Sequence, residues 1–583
     1  MPHRFRAIAV ALLVVGCWAC SAPSQQRKPD GETPRLQRLV VVGINDVHGA
    51  LLPSPGPRFL APYTDEPVGG ADWLAGWMSA IRKDARSRAG EALLIDGGDE
   101  FQGTLLSNQF EGRPVVDAFN EIGVAAAALG NHEFDFGLPV LLERMKQARY
   151  PILAANVFNK GTRERPEWAR PSVLLEVGGV KVGIVGLVTV DTPTVTNPLI
   201  VAHLDFARGG EIAAAEARAL RARGATVVII AAHAGPFPPE REIQHIAEAV
   251  HGQVDAIVSG HHHTNIGPPP LVVAGIPIVQ AGTKLQAFSI IELSLDDSGR
   301  VSGFGVNEGT FPRAGAPQPI LHTYRGAPPE WRGHKVVRDA RVASLLARYD
   351  ERVQSLRETR IGSTQVDLYK GRDGLLGNLV ADALRSGAGG ALPAEIAVQN
   401  SGGLRVPEVA AGPITFGQIF DLYPFDNQQV VVAVSAATIR DALETVLRAG
   451  KLPLQVSGLR YTIDWDRFAN LGGDRRAWPA GALVTQVSDE RGAALCETRS
   501  CSPARCEAEC VAGTHSVSVS DFLANGGDGL VMLKDAPRQT GSVLTRDIVM
   551  AYVKQHDPIT PELVGSGRPR ITVNGTPLRA HAE

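Results

Sequence analysis

Five apolar runs between Leu39 and Leu295 each end in side chains that can hold a cation or handle a proton. "VVVGINDVHG" delivers Asp46 and His48, "LLIDGGD" delivers Asp99 behind a double glycine, and "AAALGNHEFD" delivers Asn131, His132 and Asp135. Further along, "VVIIAAHAG" delivers His233, and "DAIVSGHHHTN" delivers His261, His262 and His263. Carboxylates, imidazoles and an amide oxygen, with no thiol competing, suit zinc, manganese or similar divalent ions. Two such ions about 3.5–4 Å apart need a bridging ligand. Asp99 is the candidate, because the glycines before it let the backbone turn sharply and come close to the ions. One histidine after an apolar run is more often a hydrogen-bonded structural residue. Five runs that all end in donors argue for a site.

The elements that must carry these groups are legible from the pattern. Runs apolar on both faces suit strands covered on both sides, and 70–88 and 209–223 between them read as helices. Open α/β sheets gather ligands at the carboxyl ends of their strands, so the donors are expected to converge at one sheet edge. After a Pro- and Gly-rich passage, Val342, Leu345, Leu346 and Tyr349 have helical spacing, which predicts a connecting helix over 335–360. The second domain, 361–575, mixes a helix ("DGLLGNLVADALRSG") with later strands ("QVVVAVS", "RYTIDW").

Length and charge narrow the function. A chain of 583 residues implies several domain-sized units, fewer if they are large. A formal charge of −3 offers no basic field for nucleic acid. No internal apolar run is long enough to span a bilayer. The first 17 residues run from His3, Arg4 and Arg6 through an apolar stretch to "VVGC", the order of an export signal. They resemble a bacterial lipoprotein signal with Cys17 as the lipidated residue, so the membrane is touched through a lipid anchor alone. The plainer reading is a cleaved signal with incidental cysteines. Residues 18–37 are polar and suit a tether. Cys496, Cys501, Cys506 and Cys510 lie within "CETRSCSPARCEAEC". Without CxxC pairs, two disulfides are expected rather than a zinc knuckle, and the pairing stays open.

Taken together, Asp46-x-His48, Gly98-Asp99, "GNHE", His233 and "GHHH" resemble the calcineurin-like metallophosphoesterase signature. "LLGNLVADAL", "NSGGLR", "YPFDN" and "FLANGGDG" are similar to the second domain of the bacterial UDP-sugar hydrolase and 5′-nucleotidase family. The resemblance implies an α/β architecture: a β-sandwich flanked by helices over 38–334, the linker helix, then a mixed α+β substrate domain over 361–575. It implies one metal on Asp46, His48, Asp99 and His263, and another on Asp99, Asn131, His233 and His261. Zinc, manganese and cobalt are the candidates. His132 matches the catalytic histidine, Asp135 its carboxylate partner, and Glu133 and His262 are left to structural hydrogen bonds. Substrate contacts are implied at Asn400, Gly403, Arg405, Phe425, Asn427, Phe522 and Asp528, the two phenylalanines sandwiching a base. Where relatives carry an arginine before the "GNL" helix, this chain offers Lys370 and Arg372, and a lysine lacks the bidentate fork.

These features imply an exported two-metal phosphohydrolase acting on nucleoside 5′-monophosphates, with UDP-sugars and other nucleotides as further substrates. The alternatives are a 2′,3′-cyclic-nucleotide phosphodiesterase or thiosulfohydrolase of the same architecture, and a nucleotide-binding lipoprotein without turnover.

Overall fold

The structure is a computed structural model that describes residues 36–55, 67–236, 241–311, 313–466, 478, 481–501, 506–565, 567–574 and 576–577. Cys17, the signal and nearly all of the tether lie outside the described residues.

Strands β1 (Arg38–Ile44), β2 (Gly90–Asp96) and β3 (Val124–Ala128) run parallel and adjacent in one seven-stranded sheet. Strands β4 (Val227–His233) and β5 (Ala256–Ser259) are parallel neighbours in another, of six strands. Side chains alternate across a strand, and both faces find cover. Leu39 and Val41 join Val227, Ile229 and Val258 in a core between the sheets. Val40, Val42 and Ile44 point the other way, under the helix Ala71–Ser87. Val228, Ile230 and Ile257 pack under Gly209–Ala222 and Glu242–Ala249. This two-sided burial is why the runs read as continuously apolar. The donors therefore converge from two facing sheets rather than at the edge of one. Periodicity reports that a face is covered, not what covers it.

The connecting helix spans Ala340–Arg357 and starts at Asp339, whose side chain accepts from the backbone N–H groups of Arg341 and Val342. Val342, Leu346 and Val353 bury against the first domain's core. No described helix is long and apolar enough to cross a membrane.

The second domain is built on a five-stranded mixed sheet containing Ile396–Gln399, Gln428–Ser435 and Thr514–Ser520. Val430, Val432 and Val434 alternate into the core shared with the helix Ala436–Arg448. The cysteine segment is a hairpin, Ala494–Cys501 against Cys506–Cys510, closed by the disulfides Cys496–Cys510 and Cys501–Cys506. None of the four cysteines lines the cavity between the domains.

Candidate active site

The loops leaving the five strands meet in a tight, buried cluster. Asp46, His48 and His263 present ligand atoms within 4.8 Å of one another, and so do Asp46, Asp99 and His233. Asp99 Oδ2 stands 3.1 Å from His233 Nε2 and 3.8 Å from His48 Nε2, between the two groups. Asn131 Oδ1 lies 3.2 Å from His233 Nε2, and the His261 ring is edge-on to His233 at 5.1 Å. The backbone is forced to make this convergence. Asp46, His48, Asp99, His261 and His263 all have φ between 49° and 80°, a region costly for residues with a Cβ and concentrated at functional sites. Gly98 turns at φ 94°, and a Cβ on Gly130 would collide with Asp99 Oδ1.

Neighbouring groups hold the cluster in place. Glu133 accepts from the backbone N–H groups of Gly130 (2.7 Å), Asp99 (3.0 Å), Glu100 (2.6 Å) and Phe101 (3.2 Å). Asn45 donates to the Asp46 carboxylate at 2.6 Å, and the His261 backbone N–H donates to it at 3.0 Å.

The donor set fits divalent cations on its own chemistry. The Nδ1 of His48 meets the Gln102 carbonyl at 2.9 Å, and that of His233 meets the Gly97 carbonyl at 2.9 Å. Each contact fixes the tautomer that turns the Nε2 lone pair inward, the usual way a metal-ligating histidine is oriented. That lone pair on His233 then faces a carboxylate oxygen and an amide oxygen, three acceptors around one point. Burial opposes a charge on His233, yet Asp99 and Asp46 raise its pKa to about 10. A divalent cation takes the place of the proton those carboxylates attract. Burial also works against the Asp99 carboxylate, but His233 and His132 hold it well below the usual range, as a ligand requires. Burial pushes the pKa values of His48, His261 and His263 down, leaving neutral imidazoles.

His132 Nδ1 donates to Asp135 Oδ2 at 2.6 Å, and Thr196 Oγ1 donates to Asp135 Oδ1 at 2.8 Å. Burial lowers the His132 pKa, but Asp135 and Asp99 outweigh it and raise it overall. The imidazole is oriented and poised to carry positive charge.

Above this cluster a cavity of about 510 Å³ lies between the two domains. Its first-domain wall includes Asp99, Asn131, His132, Asp135, His261 and His263; its second-domain wall includes Asn400, Gly403, Arg405, Phe425, Asn427, Phe522 and Asp528. The walls are tied by Asn108 Nδ2 to the Pro424 carbonyl (2.9 Å) and by Lys284 Nζ to the Arg405 carbonyl (2.9 Å). Arg405 Nη2 reaches His48 Nε2 at 2.9 Å, and its guanidinium lies 5.7 Å from the Phe425 ring. Phe425 in turn stacks 5.7 Å from the His132 ring. Asp528 accepts from Asn400 Nδ2 at 2.7 Å and from Lys451 Nζ at 2.6 Å.

Two expected contacts are not brought to this cavity. Lys370 Nζ donates to the Leu404 carbonyl at 2.8 Å, and burial and Arg405 lower its pKa to about 8. Its ammonium braces the loop that carries Arg405. Arg372 is exposed and does not line the cavity. Among the lining residues that went unread in the sequence are Gln102, Thr196, Ser401 and Lys451. Gln102 follows Asp99 by three positions, so loop proximity was an available signal. Thr196 and Lys451 stand in segments with no local mark of function.

The chain matches known proteins in both domains. Residues 39–265 match the calcineurin-like phosphoesterase family, and residues 356–535 match the 5′-nucleotidase C-terminal domain family. Among curated relatives, the snake venom 5′-nucleotidase of Naja atra is 29% identical, covering 90% of this chain and 98% of its own. The 5′-nucleotidase of Homo sapiens is 27% identical over 97% of this chain and 94% of its own. The solved 5′-nucleotidase precursor of Thermus thermophilus superposes with a TM-score of 0.72 at 28% identity, covering 93% of this chain and 100% of its own. The sulfate thiohydrolase of the same organism shares the fold at a TM-score of 0.69 and 18% identity, over 94% of this chain and 99% of its own. With donors suited to divalent cations beneath a cavity between them, the chain pairs a calcineurin-like phosphoesterase domain with a 5′-nucleotidase C-terminal domain, the make-up of a metal-dependent phosphoric ester hydrolase.

Proposed function

We propose that this protein is an exported phosphohydrolase that uses two divalent cations to remove phosphate from nucleoside 5′-monophosphates. The observation that supports it most is that one cavity is lined both by the His132–Asp135 pair with Asp99, Asn131, His261 and His263 of the donor cluster and by Phe425, Phe522, Asn400 and Asp528. Asp46, His48, Asp99 and His263 would hold one cation, and Asp99, Asn131, His233 and His261 the other. Bound there, zinc, manganese or cobalt would polarise the phosphoryl oxygens and make water nucleophilic at neutral pH.

The chain's own groups supply the rest. His132 holds its proton at Nε2 toward the phosphoryl and leaving oxygens, because Asp135 occupies Nδ1 and favours the charged ring. Arg405 and a cation compete for the same His48 lone pair. With a cation held there, the guanidinium would be free for the substrate phosphate, which its planar fork suits. Phe425 and Phe522 offer faces to the base, tolerant of base identity, and Asp528 with Asn400 offers an acceptor and a donor to the ribose hydroxyls.

A phosphate-release panel of AMP, UDP-glucose and 2′,3′-cyclic AMP, with and without EDTA, tests the reading. AMP should be hydrolysed fastest and EDTA should stop it; a clear preference for the cyclic nucleotide would replace the assignment. Export rests on the N-terminal signal pattern and Cys17. Cys17→Ser should move the protein from the membrane to the soluble fraction, and unchanged fractionation would remove Cys17 as the anchor.

A further inference from the structure

The loop after Asp99 carries a side chain with no part in the cation cluster or the His132–Asp135 pair. Gln102 is only 1% exposed and lines the cavity beside Asp99, Asn131 and His132. Neither its Oε1 nor its Nε2 has a hydrogen-bond partner among the described residues. A primary amide shut away from water without a partner costs folding free energy, and native proteins keep few such groups without a reason. On the facing wall, Ser401 Oγ is also buried, unpartnered and part of the cavity lining. Both walls thus hold a buried polar side chain without a partner among the described residues.

The backbone under Gln102 is fixed on every side. Its carbonyl accepts from His48 Nδ1, so the residue is tied to a candidate ligand. Glu133 clamps the N–H groups of the three residues before it. Gly103 turns at φ 152°, where any Cβ would collide with the His48 backbone. The amide therefore rides on the same rigid segment as Asp99. A residue held this firmly could have been apolar at no cost to the loop, since its main chain makes the structural contacts.

Resting on the phosphohydrolase reading, we propose that Gln102 contacts the substrate, its carboxamide N–H donating to a non-bridging oxygen of the phosphoryl group being transferred. The transferring group spreads its charge over three equatorial oxygens. A neutral donor adds a hydrogen bond there without bringing another desolvated charge into a pocket that already holds Arg405 and His132. Because the amide is positioned before substrate arrives, its contribution needs no reorganisation at the moment of reaction.

The test uses Gln102→Leu and the unbranched Gln102→Met in the metal-loaded full chain. Turnover of AMP and of a simple aryl phosphate, melting temperature and metal content are measured for each. The expected result is a fall in kcat/KM of about ten- to a hundredfold, equal for both substrates because the donor acts on the group they share. Metal content should hold, and the melting temperature should stay level or rise as an unpaired buried amide disappears. Unchanged turnover overturns the proposal. So does a fall in both variants that tracks a lower melting temperature or lost metal, which would mean a structural role. A loss confined to AMP would move the contact to the sugar and overturn the phosphoryl assignment. A wild-type protein inert toward every phosphate ester would sink the phosphohydrolase reading and this inference with it; an active wild type matched by active variants sinks this inference alone.

Discussion

The two walls of the cavity are built on opposite principles. On the first-domain wall, Asp46, His48, Asp99, Asn131 and His233 are fully buried, and much of their backbone is strained into positive φ. That strain persists because the two-sheet core, Glu133 and the backbone carbonyls of Gly97 and Gln102 over-determine it. On the second-domain wall, Phe425 on a loop, Phe522 in the single helical turn Asp521–Ala524 and Asp528, which alone of the three turns at positive φ (54°), are half-buried, with side-chain contacts such as Asn400–Asp528–Lys451 beside them. Rigid, dry surroundings strengthen electrostatics where charge develops. Partly exposed loops and short helical turns suit recognition of a flat base. Damage to the first wall should therefore appear in kcat and metal content, and damage to the second in KM.

The largest expected effect comes from removing what the first wall holds. Chelation should abolish phosphate release, and manganese, cobalt or zinc should restore it; full turnover by protein shown metal-free by elemental analysis would refute the comparison at its root. Next is His132→Asn, for which kcat should fall by about 10²–10³, the scale for losing one positioned donor. KM and metal content should hardly change, and if metal leaves with activity, His132 supports the ligands instead.

A smaller effect separates the two phenylalanines. Stacking is worth roughly 1–3 kcal/mol per base, so Phe522→Ala should raise KM for AMP about ten- to a hundredfold. It should leave hydrolysis of an aryl phosphate unchanged. Phe425→Ala should impair both substrates, because its ring touches His132 and lies under Arg405. Identical profiles for the two variants would mean that the contact of the Phe425 ring with His132 carries no weight in the chemistry. The smallest effect is assigned to Lys451→Met. Its ion pair with Asp528 is partly exposed and screened, so KM for AMP should rise only about two- to fivefold. A change in kcat with KM unaltered would place Lys451 with the chemistry.

Phe425 shows where sequence reading stopped short. The "YPFDN" motif marks it as a base-stacking aromatic, far in sequence from every metal ligand, and nothing local hints that its ring rests on His132. Lys370 shows the same limit: a cation in the right stretch of chain reads as a phosphate ligand until the fold turns it onto the Leu404 carbonyl. Cysteine spacing without CxxC pairs predicts disulfides. Only hairpin register pairs Cys496 with Cys510 and Cys501 with Cys506.

The sequence by itself determined the apolar strands, the polar donors that end them and the glycines between. Those signals are local: side-chain alternation, turn chemistry and close backbone approach are written within a few residues. The tertiary structure alone decided that two sheets, not one, bring the donors together, that the second domain closes over them, and that Gln102 and Lys451 face the same space. Those facts depend on contacts between residues tens to hundreds of positions apart, set by the packing of whole layers, and no short-range pattern encodes them.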